Sequence, residues 1–328
     1  MLNMAALGRK RVRWLVPMLC LVPAVAMAQP YPSKPVRMIA PFPATGGVDV
    51  VARQIAQKLS ANWGQQVIVD NRPGATGIIG TDLAAKAAPD GYTILMGNAA
   101  TQAINVSLYK LPYDPVKDFA PITLVARVPE MLVVNTKAAV KSVSELIELA
   151  KEKPKQLTFG SAGVGSPPHL AAELFQYLAH VQFVHVPYKG SAPALVDLVG
   201  GQIDIYFGNI FSTVAHVKAG RLRALGVTSA KRAVVVPDIP TIAEAGLPGY
   251  EEYNWYGVLA PRRTPAAIVE KLHTALATVL SSPDVRDPLV RDGAEVVAST
   301  PKEFADFIQA ETKKYAAVIQ SRGIKGTK

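Results

Sequence analysis

Two short stretches of this chain bring glycines, hydroxyls and small side chains to the point where an apolar run gives way to a helical one. The first is Pro41-Phe42-Pro43-Ala44-Thr45-Gly46-Gly47, followed by Val48 and Asp49. The second is Ser161-Ala162-Gly163-Val164-Gly165-Ser166-Pro167-Pro168-His169. The first N–H groups of a helix have no partner inside it. A carboxylate or phosphate placed there gains from those donors and from the helix dipole. Adjacent glycines remove the Cβ atoms that would hold a ligand away from the backbone. In the second stretch the Ser161 and Ser166 hydroxyls add side-chain donors. Each stretch taken alone equally suits an ordinary tight turn between strand and helix, but two in one chain suggest jaws closing on one ligand. Asn98 to Thr101, after the apolar run 93–96, is a third candidate. Tyr188, Asp204 and Asn209 flank further strand-like runs and could line the same cleft, and His169 suits either a ligand donor or a helix cap.

Enzyme motifs are mostly missing. Neither G-x-S-x-G, nor the phosphate loop G-x-x-x-x-G-K-[ST], nor G-x-G-x-x-G occurs. The five histidines, at 169, 180, 185, 216 and 273, lack metal-ligand spacing, and the one cysteine, Cys20, lies near the start. No cofactor, metal or catalytic activity is therefore expected. The enzymatic alternative is a secreted hydrolase using Ser161 or Ser166.

These loops need a frame of strands and helices, and the chain supplies an alternation of them. Strand-like runs fall at 36–40, 67–70, 93–96, 131–135, 157–160, 183–186, 203–207, 224–227 and 256–260, with helical patterns between them. Over 48–59, Val48, Val51, Ala52, Ile55, Ala56 and Leu59 recur at helical spacing and form one buried face. Such alternation predicts an α/β fold with mostly parallel sheets covered on both faces. The last 65 or so residues read as two or three helices. One of these opens with Thr300-Pro301-Lys302-Glu303, which has the form of a capping box. Its stripe of Phe304, Phe307, Ile308, Tyr315, Val318 and Ile319 is expected to be core.

The first 28 residues have the form of an export signal. Arg9, Lys10, Arg11 and Arg13 precede the apolar run 14–25, and Ala26-Met27-Ala28 is a small-x-small site that predicts cleavage after Ala28. Cleavage removes the cysteine and lowers the formal charge of +10 by those four cations to +6. A hydrophobic content of 49% allows a sizeable core without disulfides. No basic run interleaved with aromatics points to nucleic acid. A modest positive balance suits small anions, though it suits a basic isoelectric point without specific meaning equally well.

Ordered motifs along the mature chain resemble those of the Bug-type periplasmic solute receptors of tripartite tricarboxylate transporters. They include Tyr31-Pro32-Ser33-Lys34-Pro35, Pro41-Phe42-Pro43, Asp49, Ala52-Arg53, Asp70-Asn71-Arg72-Pro73-Gly74-Ala75 and Ala88-Pro89-Asp90-Gly91-Tyr92. Leu111-Pro112-Tyr113-Asp114-Pro115, His185-Val186-Pro187-Tyr188-Lys189-Gly190, Gly200-Gly201-Gln202-Ile203-Asp204 and Pro237-Asp238-Ile239-Pro240-Thr241 continue the series. The resemblance implies a two-domain periplasmic binding protein type II (flytrap) fold with the helical tail packed on domain one. Domain one would be 29–128 plus 254–328, and domain two 129–253. It implies a monomer that binds a small carboxylate through backbone amides and bridging water, then docks on integral membrane permease subunits. Service to a sensor kinase is the alternative partner.

The ligand residues implied are Phe42, Ala44, Thr45, Gly46, Gly47, Asp49, Asn98, Thr101, Ser161, Gly163, Gly165, Ser166, His169, Tyr188, Asp204 and Asn209. Three departures from the family pattern, at 44–48, at Gly208 in place of a usual Asp, and at 98–102, remove polar partners. They favour a dicarboxylate or aromatic acid over an amino acid.

Overall fold

A computed structural model describes residues 31–44 and 46–326. The export-signal reading of residues 1–28 and the assignment of Thr45 lie outside the described residues. The chain runs β1 (Val36–Ala40), α1 (Gly47–Trp63), β2 (Val67–Asn71), α2 (Ile78–Ala85), β3 (Thr93–Asn98), α3 (Asn105–Leu108), β4 (Phe119–Val128) and β5 (Glu130–Asn135). It continues through α4 (Val143–Glu152), β6 (Thr158–Ser161), α5 (Pro167–Ala179), β7 (Val184–Pro187), α6 (Ser191–Gly200), β8 (Ile205–Asn209), α7 (Ile210–Lys218) and β9 (Leu222–Val227). Last come β10 (Asn254–Pro261), α8 (Ala266–Ser281), α9 (Pro283–Arg291), β11 (Glu295–Val296) and α10 (Pro301–Arg322).

The strands form two sheets, ordered β11-β4-β10-β3-β1-β2 and β7-β6-β8-β5-β9. The expectation of mostly parallel sheets needs correction, because both sheets are mixed. Parallel pairing is confined to β2-β1-β3 and β7-β6-β8, the parts built from strand–helix–strand units. Elsewhere β10 runs antiparallel to β3 and β4, and β5 antiparallel to β8 and β9. The long strand β4 was absent from the sequence reading. Its Pro121 cannot donate to a ladder, which weakens the strand signal. Here it sits opposite Leu259, beside a register shift at which Ile122 of β4 is the extra residue between the Leu259–Pro121 and Val258–Thr123 pairs.

From β4 the chain passes into β5 through Pro129 alone, leaving one sheet and entering the other. It returns through residues 252–254, and Thr228 fastens the outgoing and returning strands together. Its hydroxyl accepts from the Glu130 amide at 2.8 Å, its amide donates to the Glu130 carbonyl, and its carbonyl accepts from the Glu252 amide, both at 2.9 Å.

The face of α1 predicted from spacing is buried, with Val51, Ala52, Ile55 and Leu59 fully enclosed. The tail also forms as read. Thr300 and Glu303 cap each other reciprocally, and Phe304, Ile308, Tyr315 and Val318 are core. Phe304 packs so closely on β10 that a Cβ at Gly257 would lie 2.1 Å from its ring. Ser299, just before the helix, ties to β4 through Thr123 and the Leu124 amide.

Candidate functional site

At the carboxyl end of β1 a short loop leads into the first turn of α1. Gly46 is the N-cap and has no side chain to cap the first turn, and the amides of Gly47 and Val48 have no partner among the described residues. Asp49 is buried and its carboxylate is already engaged. It accepts from Arg53 Nε and from Asn71 Nδ2, both at 2.9 Å, while Asn71 also donates to the Phe42 carbonyl at 3.1 Å. Asp49 thus braces the 41–46 loop against the end of β2. Its negative charge in the first turn is also favoured by the helix dipole. Ala44 is an exposed turn residue. The Phe42 ring and the Thr101 methyl both close on Gly77, where a Cβ would lie 3.0 Å and 2.7 Å from them.

Gly47 reveals a residue that the sequence reading missed. A Cβ there would lie 2.2 Å from the hydroxyl of Tyr256, which is 1% exposed. That oxygen accepts from Asn209 Nδ2 at 3.0 Å and from Asn254 Nδ2 at 3.1 Å. Asn209 is also the N-cap of α7, accepting from the Phe211 amide at 3.1 Å. Gly47 and Tyr256 from one sheet layer therefore meet Asn209 from the other. Tyr256 lies in an apolar strand of ordinary composition, so no local signal marks it.

Asn98 and Thr101 are buried and turned toward each other. The Asn98 amide donates to Thr101 Oγ1 at 3.1 Å, and the Thr101 amide to Asn98 Oδ1 at 3.2 Å. They close the turn that leads from β3 into the π-helical stretch Ala100–Ile104. Beyond it, Asn105 donates to the Thr76 carbonyl at 3.0 Å, and the Tyr109 hydroxyl donates to the Val164 carbonyl at 3.2 Å. The second loop is thereby held against the first sheet's layer.

That second loop differs from the expected anion cradle. Both Ser161 and Ser166 give their hydroxyls to the Gly163 carbonyl, at 3.1 and 2.7 Å. The first two residues of α5, Pro167 and Pro168, have no N–H at all. The next amides, of His169 and Leu170, donate to the Ser166 carbonyl. The Gly165 amide is taken by His169 Nδ1 at 3.1 Å. The loop's remaining donors are the amides of Ala162 and Val164, both partly exposed. The α5 start is self-satisfied and not an open cradle.

His169 is buried inside this loop. Its ring stacks on His185 at 4.1 Å, and His185 stacks on Phe159 at 4.7 Å. His185 Nε2 also pairs with Ser161 Oγ at 2.7 Å. Burial lowers His169 to about 3, with the neighbouring His185 adding to the effect, and burial lowers His185 to about 4. Both rings are therefore neutral near pH 7. Tyr188 lies beside Gly160, its amide bonded to the Ser161 carbonyl and its hydroxyl given to Asp197 at 2.7 Å.

Asp204 does not join this group. It precedes β8 at the amino end of the strand and accepts from the Thr158 amide and hydroxyl at 2.7 and 2.8 Å. Asn209 is at the other end of the same strand.

Two further acids lie where the chain crosses between sheets. Glu130 is fully buried, and neither carboxyl oxygen has a hydrogen-bond partner among the described residues. Burial and the nearby Glu252 push it well above the usual carboxylate range. Glu252 accepts from the Tyr315 hydroxyl at 2.9 Å and is raised to about 7, chiefly by burial. An acid inside the apolar run 128–134 was the available sequence signal for Glu130. Among the described residues no group of three His, Cys, Asp or Glu side chains could hold a metal ion. Nor, among the described residues, is any helix long and apolar enough to cross a membrane.

Residues 51–324 match the family described as tripartite tricarboxylate transporter family receptor. Among solved structures, Rpa4515 of R. palustris with adipate is 39% identical, at a TM-score of 0.86 over 90% of this chain and 100% of its own. The periplasmic binding protein BugD is 35% identical, at 0.82 over 90% and 100%. MatC of Rhodopseudomonas palustris with bound malate is 35% identical, at 0.81 over 88% and 100%. The two-sheet α/β architecture is thus the two-domain periplasmic binding fold.

Proposed function

Because the chain belongs to the receptors of the tripartite tricarboxylate transporter family, we propose that it captures a small carboxylate at the start of α1 and delivers it to membrane permease subunits. The observation that carries this reading is the N-terminus of α1, whose glycine cap leaves the Gly47 and Val48 amides without a partner among the described residues, beside the buried Tyr256 hydroxyl. The adipate and malate held by two relatives favour a dicarboxylate, with an aromatic acid as the second class.

The jaws would be residues 29–128 with 254–328 on one side and 129–253 on the other, hinged where Thr228 fastens the crossing strands. Phe42, Gly46 and Gly47 would hold the carboxylate, with Asn209 reaching it from the second jaw. The amides of Ala162 and Val164 would meet the far end of the ligand. A helix terminus contributes about 0.3–1 kcal/mol, and up to about 2 in a partly buried site. Micromolar binding needs about 8 kcal/mol, so hydrogen bonds, water exclusion and packing on Phe42 must provide most of it. Export would remove residues 1–28, and the receptor would act as a monomer without cofactor or catalysis.

The pairing of Ser161 with His185 has the form of a nucleophile and base. Against that use, Ser161 is fully buried, and no acceptor for the other His185 nitrogen is present among the described residues.

A thermal-shift screen of the purified protein tests the proposal. Adipate, malate, aromatic acids, amino acids, sugars and metal cations form the panel, and a ligand of the native state raises the melting temperature by mass action. At least one carboxylate should do so. Stabilisation by sugars or cations with none by any acid would refute the reading.

A further inference from the structure

Tyr256 holds a hydrogen that the protein does not use. A phenol oxygen has two acceptor positions and one hydrogen to give. Both acceptor positions of Tyr256 are filled, by the amide groups of Asn209 and Asn254. With the Asn254 amide turned nitrogen-first toward the phenol, an orientation that leaves its own buried Oδ1 without a partner, no acceptor among the described residues takes the Tyr256 hydrogen. The Glu130 carboxyl is near enough to act on Tyr256 electrostatically, yet it makes no hydrogen bond to it. Buried hydroxyls are nearly always satisfied as donors, so this one marks a missing partner.

Its position says what that partner is. The oxygen lies 2.2 Å from where a Cβ on Gly47 would be, at the first turn of α1. A group that accepts from this hydroxyl and also from the Gly47 and Val48 amides must offer several lone pairs and tolerate positive potential, which describes a carboxylate. The two N–H groups donating to the phenol oxygen polarise its O–H and strengthen that donation. One of them, from Asn209, comes from the other sheet's layer and is lost when the layers separate.

We propose that Tyr256 donates its hydroxyl hydrogen to the carboxylate of the ligand, and that Asn209, by bonding the same oxygen, makes this donation strongest in the closed form. Tyr256 is then a specificity-determining residue that links capture to closure. The inference rests on the carboxylate reading above and adds a residue and a coupling to it.

The test uses calorimetric titration of wild type, Tyr256→Phe and Asn209→Ser with adipate, with malate, and with any acid that stabilises the wild type. Serine retains an acceptor for the α7 cap while removing the amide donor. Tyr256→Phe is expected to weaken binding about tenfold or more, the usual loss for a hydrogen bond to a charged group. Asn209→Ser is expected to weaken it less, through faster dissociation. In protein labelled with carbon-13 at tyrosine Cζ, the resonance missing from the Tyr256→Phe spectrum should move when the acid binds.

A phenylalanine variant within about twofold of wild type overturns the proposal. So does a Cζ resonance that stays fixed while the acid is bound, and this readout does not depend on the variant's stability. If the wild type binds no acid at all, the carboxylate reading fails and this proposal falls with it.

Discussion

The starts of α1 and α5 follow similar small-residue loops at strand ends, yet they have opposite hydrogen-bonding states. At α1 a glycine cap supplies no side chain, and Gly47, Val48 and Asp49 all carry N–H groups. At α5 two prolines remove the first donors, and Ser161 and Ser166 turn their hydroxyls onto the loop's own Gly163 carbonyl. The Gly47 and Val48 amides at α1 have no partner among the described residues, whereas the α5 loop takes up most of its own donors. Loop composition alone does not reveal an anion site; the next two residues and the neighbours of each hydroxyl decide it. The α5 loop is pinned by its histidine stack and by Tyr109.

The sharpest way to break this contrast is to fill the α1 site. Gly47→Val places atoms on the Tyr256 hydroxyl, and overpacking of this kind costs about 1–3 kcal/mol. Affinity for any acid that stabilises the wild type should fall about tenfold to hundredfold in calorimetry. An unchanged affinity would remove α1 from the site.

A second experiment sharpens the other side. His169 and His185 titrate lower in the folded protein than in the unfolded chain, whose histidines keep their usual value near 6.5. The unfolded state therefore binds more protons below that value. The stability these rings contribute is present above pH 6.5 and declines as pH falls toward 4 and then 3. Glu252, raised to about 7, has the opposite sign, and its contribution declines as pH rises from about 4.5 toward 7. Melting temperatures of wild type and His185→Gln across this range should show a shallower acid limb in the variant. Equal limbs would mean that the stack is not buried as described.

The smallest effect is expected from Pro167→Ala and Pro168→Ala. They return N–H groups to α5, and affinity should stay within about threefold of wild type or improve slightly. A large loss would show that the prolines themselves shape the ligand's seat.

Much of this protein could be read from the chain. The periodicity of 48–59 yielded the buried face of α1, the Thr300–Glu303 spelling yielded the cap of α10, and the ordered motifs yielded the family. These are local properties, set by helical spacing, side chains three residues apart and short runs of fixed residues. The prolines at 167 and 168 already denied α5 its first two donors, yet the chain was expected to form a second cradle there, and the serine and histidine bonds that use up the loop's other donors appear only in the fold.

Other features depended on parts of the chain that only folding brings together. β4 was hidden by Pro121, because the partner β10 that accommodates it through a bulge at Ile122 lies more than a hundred residues away. Asp204 and Asn209 look equivalent in sequence, but strand direction sends them to opposite ends of β8. Tyr256 has meaning only through Gly47 and Asn209, which arrive from two different sheet layers. The sequence by itself therefore determined the helix end that offers donors. The tertiary structure decided which hydroxyl stands beside it, because hydrogen bonds act over about 3 Å and take no account of distance along the chain.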